Sequence, residues 1–247
     1  MPTGLENTFA VILAGGFGTR IKHLLRDLPK PMAPVAGRPF VEWVIRYLAH
    51  QGIRRVVLST GYLAESVAQH FAAQPVRGVR VDCVPETTPL GTAGGFLNAA
   101  AAVAEKPAHW LVLNGDSIAF AELKAAAAPL ASNRAQGVIV GVEMADASRY
   151  GTVAADATGR LKSFMEKQPG AGVINAGIYF FAHDLLAQFP HQRPLSFEKD
   201  VFPKLIATGT ALQVHAASAP FLDIGTPESL PQAEEFIRSN RAQFQLE

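Results

Sequence analysis

Apolar runs of strand length alternate with helical patterns along roughly the first 145 residues, and few folds accept that order. FAVILA (9–14), RRVVLST (54–60), VRVDCV (79–84), HWLVLNGD (109–116) and GVIVGVE (137–143) are short and apolar, with turn residues close by. Strands buried on both faces of a sheet have this character. Helical patterns fill 39–52, 64–73, 92–103 and 121–130. In the first of these, Pro39 suits the opening turn, Phe40, Val44, Tyr47 and Leu48 form an apolar face, and Gly52 stops it. Such a βαβα order predicts an α/β fold, with a mostly parallel sheet, helices on both faces and right-handed crossovers.

After about residue 145 the rhythm changes. Residues 151–167 suggest two strands around an Asp156–Gly159 turn, and 173–181, 211–217 and 221–225 suggest further strands. Leu185–Phe189 and Phe197–Thr208 look helical, and a closing helix begins near Pro227. No linker, repeat or charge run divides the chain, so 1–247 is expected to be one domain, with 9–145 as one half and 146–235 elaborating the sheet.

The composition removes several function classes. Lys and Arg number 22 against 21 Asp and Glu, a net +1, so no global field draws the chain to nucleic acid or an anionic membrane. Cys83 is the single cysteine, which excludes an intrachain disulfide and a cysteine zinc cluster, and its strand setting suggests a buried, inert thiol. No apolar run reaches the ~20 residues that span a bilayer, and residues 1–8 lack the apolar core of a signal peptide. A cytoplasmic protein is expected. Trp43 and Trp110 lie in apolar elements and belong to the expected core, and His23 is expected to be solvated.

Chemistry-bearing residues gather where the strands should end, which is where open parallel sheets bind ligands. After the first strand comes GGFGTR, in which Gly15, Gly16 and Gly18 allow backbone N–H groups to approach an anion and Arg20 adds a fixed charge. Lys30 sits between Pro29 and Pro31, in a segment expected to be stiff and extended. Glu86 precedes a turn where Gly91, Gly94 and Gly95 open a helix and again permit close backbone approach to a ligand. Asp116 and Asp223 end two strands. Each could be a cap or turn residue, but beside phosphate-seeking loops they suggest a Mg²⁺ site, since Mg²⁺ is commonly held by one or two carboxylates plus substrate phosphates.

The runs LAGGFGTR, PKPMAPVAGRPFVEWVI, PLGTAGG, LNGD, FMEK, NAGIY and FLDIG together resemble the nucleotidyltransferases that act on sugar 1-phosphates, over about Phe9 to Glu234. KPMAPVAGRPF, PLGTAGG and SFEKDVFPKL are most similar to the guanylyltransferases of D-glycero-α-D-manno-heptose 1-phosphate. The resemblance implies a Rossmann-like, mostly parallel mixed sheet flanked by helices, and conversion of a nucleoside triphosphate and a sugar 1-phosphate into a nucleotide sugar and pyrophosphate. It assigns catalysis to Arg20, Lys30, Asp116 and Lys167, and Mg²⁺ to Asp116 and Asp223. Nucleotide binding falls to Leu13, Ala14, Gly15, Gly16, Gly18, Thr19, Glu86, Gly91 and Thr92, and sugar binding to Gly151, Glu166, Lys167 and Asn175. The implied product feeds glycan biosynthesis, such as capsule or lipopolysaccharide, and a homodimer is left open. Two departures from the wider family stand out. IKHLLRDL follows the arginine loop where many members have a proline, and Gln168 replaces a proline after EK. No C-terminal β-helix is expected.

The chemistry of the reaction suits this residue set. A sugar phosphate is already a nucleophile at neutral pH, so neither a general base nor a nucleophilic triad is needed. The difficulty is to bring two anions together and to stabilise charge on leaving pyrophosphate, which Arg20, Lys30, Lys167 and Mg²⁺ would do by position and electrostatics. Direct in-line attack on the α-phosphorus is expected. The Glu86 carboxylate could accept from both N1–H and N2–H₂ of guanine, but from only one donor of uracil, which favours GTP. The alternatives are UTP, another sugar 1-phosphate (mannose or N-acetylmuramate), and a non-catalytic nucleotide-sugar sensor on the same fold.

Overall fold

The computed structural model describes residues 5–16, 21–25, 28–165 and 169–244, with the Lys22 side chain left out. Strand β1 (Thr8–Ala14) is followed by a short β2–β3 hairpin (Pro34–Val35, Arg38–Pro39) and helix α1 (Phe40–His50). Then come β4 (Arg55–Thr60), α2 (Ala64–Ala73), β5 (Arg80–Pro85), α3 (Thr92–Ala101), β6 (His109–Asn114), β7 (Ser117–Ala119), α4 (Leu123–Ala131) and β8 (Gly137–Met144). The rest of the chain supplies β9 (Thr152–Ala155), β10 (Leu161–Met165), β11 (Gly172–Ala182), α5 (Phe202–Ala207), β12 (Leu212–Ala217), β13 (Phe221–Asp223) and α6 (Ala233–Ser239).

Among the described residues, the main sheet runs β10-β9-β11-β6-β1-β4-β5, with β8 paired to β11 and β12. The block β6-β1-β4-β5 is parallel throughout, as the βαβα rhythm requires. It gives way at β11, which runs antiparallel to β6, β8 and β9. The sheet is therefore mixed, and the change of rhythm after residue 145 marks where its direction switches. Alternate residues of β1 enter two separate cores, Ala10 and Ile12 on one face and Val11 on the other. The first core holds α1, α2, α4 and α6. The second holds α3, α5 and a run of aromatic rings, with Phe96, Tyr179, Phe181, Phe197 and Phe202 in mutual contact. Burying each such ring contributes roughly 1.5–3 kcal/mol. Trp43 and Trp110 are buried as expected.

Three local features differ from expectation. Cys83 is half-buried rather than buried, because β5 is an edge strand, and burial together with the nearby Asp82 charge pushes its thiol up to about 11. Residues 197–208 are helical, but begin with a π-helical turn, Phe197–Val201. Lys30 is not in an extended segment: only Pro29 is extended, and Lys30–Met32 forms a 3₁₀ turn closed by Met32 N–H donating to the Pro29 carbonyl at 2.8 Å. Proline tolerates the first turn of a helix because its missing N–H would lack a partner there anyway. The prolines thus place Lys30 by folding the chain sharply.

Candidate active site

The carboxyl ends of β1, β4, β5 and β6 open into a cavity of about 650 Å³. Leu13, Gly15, Gly16, Lys30, Glu86, Gly91, Thr92 and Asp116, all named from the sequence, line it. Gly61, Tyr62, Thr87, Thr88, Asn114 and Gly225 line it as well and were not named. Gly61 and Tyr62 directly follow β4, so the rule that ligands sit beyond parallel strand ends pointed to them. Ala14 is buried against β4 and is not part of the wall. Gly18, Thr19, Arg20, Glu166 and Lys167 lie outside the described residues.

One end of the cavity is ionic. The Lys30 ammonium donates to Asp116 Oδ2 at 2.7 Å and lies 3.8 Å from Asp223 Oδ1. Asp116 and Asp223 are brought together by an unanticipated antiparallel pair, β7 with β13, in which Asp223 faces Ser117 and the Ile224 N–H donates to the Asp116 carbonyl. Gly225 completes this corner: a Cβ there would lie 2.5 Å from Asp223 Oδ1 and 2.8 Å from Lys30 Nζ. The two carboxylates are oxygen donors of the kind a hard divalent cation takes, while the Lys30 ammonium between them cannot ligate a cation and competes with it for them. Among the described residues no group of three or more His, Cys, Asp or Glu forms a metal cage, and a cation that keeps phosphate ligands does not need one.

Glu86 lines the same cavity. Its Oε1 accepts from the Ser59 hydroxyl at 2.8 Å, and its Oε2 accepts from the Leu90 N–H at 3.3 Å. The carboxylate is seated between two glycines, since a Cβ on Gly15 or Gly95 would come within 2.6 or 2.5 Å of Oε1. Gly95 therefore makes room for a side chain, not for a ligand. Gly91 and Gly94 likewise meet expectation only in part. The Ala93 and Gly94 N–H groups donate to the Leu195 carbonyl, and a Cβ on Gly91 would strike that same oxygen at 2.5 Å. The N-terminus of α3 is thus capped by residue 195 and is not an open anion nest, because a buried backbone N–H takes whatever acceptor the fold supplies. Thr92 keeps its place in the wall, but its hydroxyl accepts from the Phe197 N–H.

Gly151 and Asn175 lie beside this cavity rather than in its wall. They are joined by the Asn175 N–H donating to the Gly151 carbonyl at 2.9 Å. Met165 pairs with Thr152, the residue after Gly151. Gly177, with φ +69°, lets Asn114 pack against β11, where a Cβ would lie 2.2 Å from Asn114 Nδ2. The bulge in β11 at Asn175–Ile178 thereby contacts the cavity wall. His23 is exposed, as expected.

Known proteins resemble this chain along most of its length. Residues 9–240 match the nucleotidyl transferase family. The chain is 36% identical over 94% of its length to mannose-1-phosphate guanylyltransferase of Mycobacterium tuberculosis, and spans 63% of that relative, less than two thirds. It is 35% identical over 89% of its length to D-glycero-alpha-D-manno-heptose 1-phosphate guanylyltransferase of Campylobacter jejuni, of which it spans 95%. The crystal structure of HddC from Yersinia pseudotuberculosis superposes with a TM-score of 0.81 at 34% identity, covering 92% of this chain and 97% of that one, and has also been solved complexed with GMP-PN. Among the described residues no helix is long and apolar enough to cross a membrane. With a family match along nearly its whole length, and a strand-end cavity in which a lysine lies between two aspartates, this chain belongs to the nucleotidyl transferase family.

Proposed function

We propose that the chain transfers GMP from GTP to a heptose 1-phosphate, D-glycero-α-D-manno-heptose 1-phosphate, releasing pyrophosphate, with Mg²⁺ as cofactor. The observation that carries this is one cavity lined by Glu86, Lys30 and Asp116, with Asp223 3.8 Å from the Lys30 ammonium. A sugar phosphate oxygen attacks the α-phosphorus in line. The bond from that phosphorus to the bridging oxygen breaks, and pyrophosphate leaves with the electron pair. No proton has to move. Lys30 offers positive charge to the phosphates, and Asp116 and Asp223 would hold the Mg²⁺. When bound, the ion would screen the charge of the nucleotide phosphates.

Glu86, held by Ser59 and Leu90, retains lone pairs for the N1–H and N2–H₂ donors of guanine. The guanylyltransferase names of both relatives and the GMP-PN complex of HddC support GTP over UTP. Gly151 and Asn175 would contact the sugar. A second reading, mannose 1-phosphate as acceptor, is favoured by the Mycobacterium tuberculosis relative. The sensor alternative is disfavoured by the retained Lys30, Asp116 and Asp223, which binding without turnover would not need. The test is product identification by mass spectrometry after incubation with GTP, Mg²⁺ and each sugar phosphate in turn. GDP-heptose formed in preference to GDP-mannose supports the proposal. GDP-mannose alone transfers it to the second reading, and a bound but unconverted nucleotide sugar transfers it to the sensor.

A further inference from the structure

Behind Asn175 runs a polar chain, Tyr179, Glu198 and Ser196, to which the reaction described above gives no role. Tyr179 on β11 is almost fully buried, at 1% exposure, within the aromatic core. Its hydroxyl lies 2.8 Å from Asn175 Nδ2 and 3.0 Å from Glu198 Oε1. Glu198 stands in the π-helical turn, and its second oxygen accepts from the Ser196 hydroxyl at 2.9 Å. The same turn caps the nucleotide side, through Leu195 on α3 and Phe197 on Thr92.

Hydrogen-bond polarity along this chain has one solution. An ionised carboxylate only accepts, so the tyrosine O–H must donate to Glu198. The Tyr179 oxygen must then accept, and the Asn175 amide must turn its Nδ2 toward it. That turns Asn175 Oδ1 toward the Gly177 N–H, which donates to it at 3.1 Å. Burial, then the Glu198 charge, holds the Tyr179 hydroxyl well above the usual phenol range, so it remains a donor. One Nδ2 hydrogen of Asn175 is left over, in a fixed direction. A buried amide without such a chain could present either end.

We propose that Glu198 is a positioning residue for the sugar subsite: by anchoring Tyr179 it sets the orientation in which Asn175 offers a donor to a sugar oxygen. This rests on the sugar-binding role given to Asn175 above. It makes Glu198 part of acceptor recognition without contact with either substrate.

The test compares the full-length wild type with Glu198→Ala, Glu198→Gln and Tyr179→Phe in steady-state pyrophosphate release, using the sugar 1-phosphate that the wild type turns over best. Glu198→Ala and Tyr179→Phe should raise KM for the sugar phosphate about five- to tenfold, with KM for GTP within about twofold, since one lost hydrogen bond is worth ~1–1.5 kcal/mol. Glu198→Gln can still accept from Tyr179 and donate to Ser196, and should restore KM to within about threefold. Equal rises in both KM values, or a lower Tm with both unchanged, would overturn the proposal and leave Glu198 a packing residue. Side-chain amide resonances of Asn175 in ¹⁵N-labelled protein separate this from the fate of the proposed function. They should move in Glu198→Ala and not in Glu198→Gln without any substrate, and should respond to titrated mannose 1-phosphate in the wild type even if nothing is turned over. Resonances that ignore both changes would refute it.

Discussion

Lys30 and Asp116, 86 residues apart in sequence, meet at 2.7 Å, with the Lys30 side chain only 12% exposed. The ammonium neutralises a pair of carboxylates that would otherwise repel each other, and it does so in the wall of the cavity. Its two roles predict opposite effects of one substitution. Lys30→Met should reduce turnover by about 100-fold or more, as loss of a charge aimed at the reacting phosphates costs about 3 kcal/mol. It should also tighten Mn²⁺ binding, read by water-proton relaxation, because Asp116 and Asp223 lose their competing cation. Weaker Mn²⁺ binding would show that the two aspartates do not act together.

Two glycines separate packing from chemistry. Gly61→Ala would place a Cβ 2.5 Å from the Gly15 carbonyl oxygen, backbone against backbone. Overpacking of this kind costs about 1–3 kcal/mol, so Tm should fall by several degrees. Gly225→Ala instead meets the side chains of Asp223 and Lys30. It should lower kcat about tenfold or more while Tm changes little, as calorimetry beside a pyrophosphate assay would register.

Ser59 is fully buried and donates to Glu86. Ser59→Ala removes the donor that steadies the carboxylate, a loss of ~1 kcal/mol. The ratio of kcat/KM for GTP over UTP should drop about fivefold. Glu86→Gln, which replaces an acceptor with a donor, should lower it further. ITP, which lacks the 2-amino group, should be used more poorly than GTP by the wild type and about as well as GTP by Glu86→Gln.

Stability should fall at both ends of the pH range. Burial raises Cys83 to about 11, and Tyr47 and Tyr179 above the usual phenol range. The folded chain then keeps protons that the unfolded chain has released, so stability is present below the unfolded values and is lost as pH rises above about 9. His109 and His215 are lowered by burial, against the weaker pull of Asp184 and Glu122. There the unfolded chain binds more protons, and stability is lost as pH falls through about 6.5. Thermal melts from pH 5 to 10.5 should trace a maximum near neutrality, and Tyr47→Phe should flatten its alkaline side.

The parallel half of the sheet was legible because each strand there is a continuous apolar run. Asp116, Asp223 and Lys30 were legible as strand-end or proline-fixed charges. The contact that unites them was not, because β7 and β13 are three residues each and carry no periodicity of their own. The glycines after Glu86 were legible only in part for a related reason: glycine permits close approach, but the sequence does not say of what. At Gly95 it is the Glu86 carboxylate, and at Gly91 it is the Leu195 carbonyl more than a hundred residues away. The role of Glu198 was not legible, because it meets Tyr179, 19 residues away, only once β11 and the π-helical turn pack together.

The most direct measurement is pyrophosphate release by the full-length chain with Mg²⁺, crossing GTP, UTP, ATP and CTP with heptose, mannose, glucose and N-acetylmuramic acid 1-phosphates, with Asp116→Ala as control. Release with GTP and the heptose phosphate, abolished in Asp116→Ala without loss of Tm, is the expected result. Release with UTP but not GTP would contradict the role given to Glu86, and turnover surviving in Asp116→Ala would contradict the site itself.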